Sequence, residues 1–245
     1  MSDLHLYGTI GLGWGDCFTA SDVKGELDAM EGDLTVHVNS GGGDAFEGVA
    51  ISQLFNAYRR RTGGRVTCRV EGLAASAASY MVLTADEVVM APGSMMMIHD
   101  PSSYCEGDAG SMRSVADTLD ALAASIASQY VLKTGKGADE VRGAMAAETW
   151  FTADEAVAWG IADSVDAGAV PVAACVDERL LAGYRNRPDT LLLDGTGDSA
   201  RGHTAPKNEV DDALPEPGEA PGDGRPVGGQ GLRCVLGHVF HEKEQ

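Results

Sequence analysis

From Leu4 to Val165 short apolar runs alternate with amphipathic stretches, and this alternation most constrains the fold. "LHLYGTI" (4–10) and "LTVHV" (34–38) read as strands, with a helix from about Ser21 to Met30 between them that Ser21 or Asp22 would cap. After "NSGGGD" a second helix carries Phe46, Ala50, Leu54 and Tyr58 at four-residue spacing, and Val49, Ile51 and Phe55 widen that stripe. "RVTCRV" reads as strand, residues 74 to 84 as helix, and "EVVMA" and "SMMMIH" as strands. A long helix runs from about Ser111 to Lys133 and stops at Gly135, and a shorter one covers about 138 to 147. "TADE" (152–155) is a capping box for a helix ending at Gly160, and "IADSV" returns to strand. Strand–helix units in series predict an α/β fold with a largely parallel sheet, because parallel neighbours are joined by crossovers.

The pattern stops near residue 185. Six of the nine prolines lie beyond it, in stretches such as "LPEPGEAPGDGRPVGGQG". Such a segment has too little apolar surface to order itself. The expected division is therefore a folded domain over 1–184 and a flexible Pro/Gly/acid-rich tail over 185–245. The tail carries one apolar patch, "LRCVLGHVF" (232–240), either a docking peptide on a tether or an undirected remnant.

Charge and cysteine use narrow the function. With 37 acidic against 18 basic residues the formal net charge is −19, a surface that repels phosphate backbones and argues against a nucleic-acid partner. No run approaches the roughly 18 apolar residues of a membrane span, and "MSDLHLYGTIG" has neither a basic nor an apolar region of a secretory signal. Cys17, Cys68, Cys105, Cys175 and Cys234 are scattered, with no C-x-x-C. That favours reduced thiols in a cytoplasm over disulfides or a metal site.

Three stretches carry candidate chemistry. "HVNSGGGDAFEG" places Gly41 to Gly43 between a strand and a helix, where bare amides can face a ligand. It has neither the G-K-[ST] of a P-loop nor a G-x-G-x-x-G fingerprint. "EGLAASAASYMV" sets Ser76 among alanines at a helix start, where amides are unpaired and a substrate chain has room. It is not the G-x-S-x-G of an α/β-hydrolase elbow. "MMMIHDP" ends an apolar strand on His99, on the same face as Met95 and Met97. The 23 residues from Ser76 to His99 hold one helix and a return strand, so the two side chains can meet. Taken singly, each has a plain structural reading: a tight turn, a capped helix, a core histidine.

Taken in order, the Gly-rich segment, "GLAAS", "MIHDP" and "ETWFTADEAVAWGIADSV" resemble the Clp protease proteolytic subunit family over most of residues 5–165. The resemblance implies a Clp/crotonase-like spiral of repeated β-β-α units. It makes Ser76 the nucleophile and His99 the base, and it places the oxyanion hole on the amides of Gly43, with Gly42 beside it, and of Ala77. At the family's aspartate position stands Glu148, which would orient the His99 Nδ1 proton. Asp163 is the alternative acid, and Asp100 is discounted because adjacent strand residues face opposite ways. The match begins almost at Met1, leaving little of the axial segment of bacterial ring proteases, and an acidic tail follows. This is similar to the phage and prophage branch, whose members process head proteins.

The resemblance implies serine endopeptidase chemistry with no metal, nucleotide or other cofactor. It implies a homo-oligomeric ring, a polypeptide substrate such as a capsid or scaffold protein, and action in the cytoplasm, the host's if the chain is phage-encoded. An ATPase partner stays open. The alanines and Ile126 of "LDALAASIASQYV" would line either a subunit interface or an intrachain core. Met95 to Met97 would line either a specificity pocket or the core. Two rivals remain: a crotonase-type thioester enzyme, in which Ser76 and His99 are incidental, and a silent scaffold with a protease fold.

Overall fold

A computed structural model of the chain describes residues 1–12, 16–166, 168 and 183–188, all within one compact unit. Along the chain come β1 (Ser2–Ile10), β2 (Cys17–Phe18), α1 (Ala20–Asp28), β3 (Leu34–Gly43), α2 (Ala45–Thr62), β4 (Val66–Ala75) and α3 (Ala77–Val82). Then follow β5 (Glu87–Met90), β6 (Met95–Ile98), α4 (Ala109–Thr134), α5 (Ala138–Ala146), β7 (Thr149–Thr152), α6 (Ala153–Trp159) and β8 (Ser164–Val165). This is a mixed α/β fold. The strands run in the order β2-β1-β3-β4-β5-β8, with β6 joined to β4 and β7. Every described pairing is parallel except β6 with β7.

The two-residue period of the strands sorts their side chains. Leu4, Leu6, Val36, Val38, Cys68 and Val70 enter the core, while His5, His37 and Arg69 stand on the opposite face. Phe55 and Tyr58 of α2, and Ile126, Ala127 and Tyr130 of α4, close over the same core. Within "LDALAASIASQYV", Ala123, Ile126 and Ala127 are buried within the chain, whereas Ala121 and Ala124 are exposed.

Several local expectations shift. The cap of α1 is Thr19, not Ser21 or Asp22. Asp22 instead reaches back to the Thr19 amide at 2.9 Å and completes a capping box. The buried face of α2 is Gly48, Ile51, Ser52, Phe55 and Tyr58, and Phe46 is 54 % exposed. Gly48 sets this rotation, because a Cβ there would lie 3.1 Å from the Ala77 carbonyl oxygen, so α2 and α3 meet backbone to backbone. Residues 74 and 75 are strand, not helix: Ala74 and Ala75 pair with Met96 and Met97, and the ladder outweighs alanine's helix propensity. β7, which the sequence reading did not separate, pairs with β6. The box at Thr152 and Glu155 and the left-handed stop at Gly160 (φ 89°) stand as read.

Along its edge away from β3, β4 serves two ladders, and this division builds the site. Thr67 to Val70 pair with β5, whereas Leu73 to Ala75 pair with β6. The end of β4, which leads into Ser76, therefore lies beside the end of β6, which leads into His99. The tail beyond residue 188, including the patch at 232–240, lies outside the described residues.

Candidate active site

Ser76 occupies the single residue between β4 and α3. Its backbone is at φ 55°, ψ −124°, a conformation that costs a residue with a side chain about 1–3 kcal/mol. The surroundings hold it there. The Ser76 amide donates to the Met97 carbonyl at 2.9 Å, and the Ser76 carbonyl accepts from the Ser79 hydroxyl at 2.7 Å. Ser79 is braced in turn by the buried Tyr130 hydroxyl at 2.7 Å. Although the sequence lacks G-x-S-x-G, the result is a strained strand-to-helix turn that presents a serine, the same device by other means.

His99 follows β6 directly. Its Nε2 lies 2.7 Å from Ser76 Oγ, hydrogen-bond distance for proton transfer from a nucleophilic hydroxyl. The cavity beside this pair is lined by Gly43, Ala77, Tyr80 and Pro101 among others. Gly41 to Gly43 end β3 rather than forming a loop, with positive φ at Gly42 (93°) and Gly43 (145°). The amide of Gly42 donates to Ser40 Oγ at 3.1 Å, so Gly42 acts through space rather than donation: a Cβ there would lie 2.8 Å from that of Ser76. Gly43 and Ala77 both line the cavity beside Ser76.

Glu148 is buried and, with Ser76, is one of two non-glycine residues at positive φ among those described (52°). The β6–β7 ladder ends with Ile98 opposite Thr149, so Glu148 precedes β7 at the end of the sheet where His99 follows β6. Among described residues the Glu148 carboxylate accepts from the amides of Arg185 at 3.0 Å and Asn186 at 2.7 Å, and from Trp150 Nε1 at 3.4 Å. Arg185 and Asn186, assigned from composition to the tail, thus reach into the site.

Asp163, the alternative acid, is engaged between two elements of the fold. Its carboxylate accepts from the Val88 amide at 2.7 Å and from Lys133 Nζ at 2.6 Å, so it ties β5 to the end of α4. Asp163→Asn is accordingly expected to lower unfolding stability by about 1–2 kcal/mol in urea titration and to leave kcat near wild type. Asp100 pairs with Arg142 at 2.6 Å. Of the three methionines, Met96 joins the main core, and Met97 packs with Leu73, Ala75 and Tyr184.

Tyr184 is the site residue that sequence reasoning missed. It is the last aromatic before Phe240, at the point where the composition changes, and that isolation was the available signal. Its hydroxyl donates to the Gly41 carbonyl at 2.6 Å. Burial, the main cause, pushes its phenol far above the ordinary range, with the Ser76 side chain and Glu148 close by.

A model of the Clp protease family matches residues 23–168, more than half of the chain, and the chain belongs to that family. The ATP-dependent Clp protease proteolytic subunit of Cycas taitungensis is 36 % identical over 137 residues, covering 54 % of this chain and 68 % of the relative. Proteolytic subunit 2 of Thermobifida fusca (strain YX) is 30 % identical over 155 residues, covering 60 % and 73 %. Among solved structures, a point mutant of ClpP1 from Listeria monocytogenes superposes with a TM-score of 0.56 at 22 % identity, over 67 % of this chain and 90 % of that one. That likeness is one of fold. Tyr184 lies beyond the span that the family model matches.

Proposed function

We propose that the chain is a serine endopeptidase in which Ser76 is the nucleophile, His99 the general base and Glu148 the acid. The observation that carries this reading is the 2.7 Å contact between Ser76 Oγ and His99 Nε2 at a strained strand-to-helix turn. His99 takes the Ser76 proton as the oxygen attacks a peptide carbonyl, and the amides of Gly43 and Ala77 receive the developing oxyanion. His99 then protonates the leaving amine, and water releases the acyl group by the reverse sequence. Glu148 stabilises the imidazolium. The same contact disfavours the crotonase reading, in which these two residues are incidental. We extend the proposal to a homo-oligomeric ring acting on capsid or scaffold polypeptide in a host cytoplasm. Support for that extension is the likeness of the motifs and acidic tail to the phage branch.

A fluorophosphonate probe tests the chemistry: mass spectrometry should find it on Ser76, and labelling elsewhere or nowhere overturns the assignment. Glu148→Gln keeps shape but removes the charge facing the imidazolium, so peptide turnover should fall by roughly 10²–10⁴-fold. An unchanged rate would remove Glu148 from the mechanism. Coexpression with the candidate capsid protein, with and without Ser76→Ala, tests the substrate: cleavage should require the serine.

A further inference from the structure

The segment 183–188 runs into the site. Tyr184 is 6 % exposed, and its ring stands edge-on to His99, with centroids 5.4 Å apart, and to Trp150, at 5.6 Å. Beneath it lie Leu73, Ala75 and Met97. The next two amides bind the Glu148 carboxylate, and Asn186 Nδ2 donates to the Ala147 carbonyl at 2.8 Å. With the tyrosine seated, the cavity beside Ser76 measures about 50 Å³. That is room for a few waters, at about 10–15 Å³ each on this measure, whereas sites for small ligands enclose about 300–1,000 Å³.

Two other roles for Tyr184 fit less well. As an oxyanion donor it would need its proton, but that proton goes to the Gly41 carbonyl. As a side chain poised for cleavage it would need to bring a scissile bond to Ser76. What reaches the serine is a phenol, which offers none.

We propose that residues 184–186 form an intramolecular latch: Tyr184 fills the cleft beside Ser76 and His99, the Arg185 and Asn186 amides hold Glu148, and a polypeptide enters only as the segment leaves. The proposal rests on the peptidase reading above. Release does two things at once. It empties the cleft, and it removes two donors from a buried carboxylate that precedes β7 where His99 follows β6. A buried carboxylate that loses donors must find others, and in the triad reading the His99 ring supplies one. Substrate binding and assembly of the triad are thereby coupled.

The test is the rate at which a fluorophosphonate labels Ser76 in the full chain. Tyr184→Ala should label roughly tenfold faster or more than wild type, as expected when a competent state held to a tenth of the population is released. Tyr184→Phe keeps the ring but loses the Gly41 bond, and should fall between. Equal or slower labelling of a folded Tyr184→Ala chain overturns the latch. Should that variant fail to fold, hydrogen exchange on the wild-type chain decides. The amides of Arg185 and Asn186 should be protected in the free chain and lose protection once Ser76 carries a peptidyl diphenyl phosphonate adduct, and retained protection overturns the proposal. Failure of the peptidase reading looks different: no variant labels at Ser76, and the latch falls with it.

Discussion

Ser76→Ala and His99→Ala are each expected to lower peptide turnover by roughly 10⁴- to 10⁶-fold while the chain stays folded. The size follows from the geometry. Ser76 Oγ is the atom within 2.7 Å of His99 Nε2, and each group needs the other: the hydroxyl is a poor nucleophile without a base, and the base has nothing to activate without the hydroxyl. The double variant should therefore lose little more than either single one, since residues that act as a unit are not additive. Folding should survive because the contacts that hold the turn are made by the Ser76 backbone and by Ser79, not by Oγ. Initial-rate assays on a fluorogenic peptide, with circular dichroism as the control, check this. Turnover within tenfold of wild type in either variant would remove Ser76 and His99 from the chemistry.

The second large effect is expected away from any reacting atom. Gly42→Ala would place a Cβ 2.6 Å from the Ala75 carbonyl oxygen, 2.8 Å from Ser76 Cβ and 3.1 Å from the Ala77 amide, at φ 93°. Two of those neighbours are backbone in the turn that presents the nucleophile, so the clash is not relieved by a rotamer change. Strain and overpacking together should reduce stability by roughly 2–4 kcal/mol. Turnover should fall at least about a hundredfold as the oxyanion amides shift. Gly25→Ala is the control. It lies within α1 with nothing inside 4 Å of the new Cβ, and should be neutral or stabilising by about 0.5–1 kcal/mol. Urea denaturation and the peptide assay measured on both variants separate local fit from a general intolerance of alanine.

The sequence determined the elements whose cause is local. Two-residue alternation set the inner faces of β1, β3 and β4, and the boxes and left-handed glycines at Thr152, Gly135 and Gly160 fixed where helices begin and end. It also carried the order of the chemical groups, glycine run then serine then histidine, because that order is written along one chain. The tertiary structure decided whatever depends on two distant segments meeting. β4 divides between β5 and β6, and only that division brings Ser76 beside His99 and holds it at φ 55°. Gly48 against Ala77 turned α2 away from its apparent stripe. Lys133 and the Val88 amide claimed Asp163, and the amides of Arg185 and Asn186 reached Glu148. Tyr184 meets a carbonyl 143 residues earlier. Nothing in the residues flanking either group encodes such a contact, because its free energy comes from burial and hydrogen bonds that exist only after the sheet has formed.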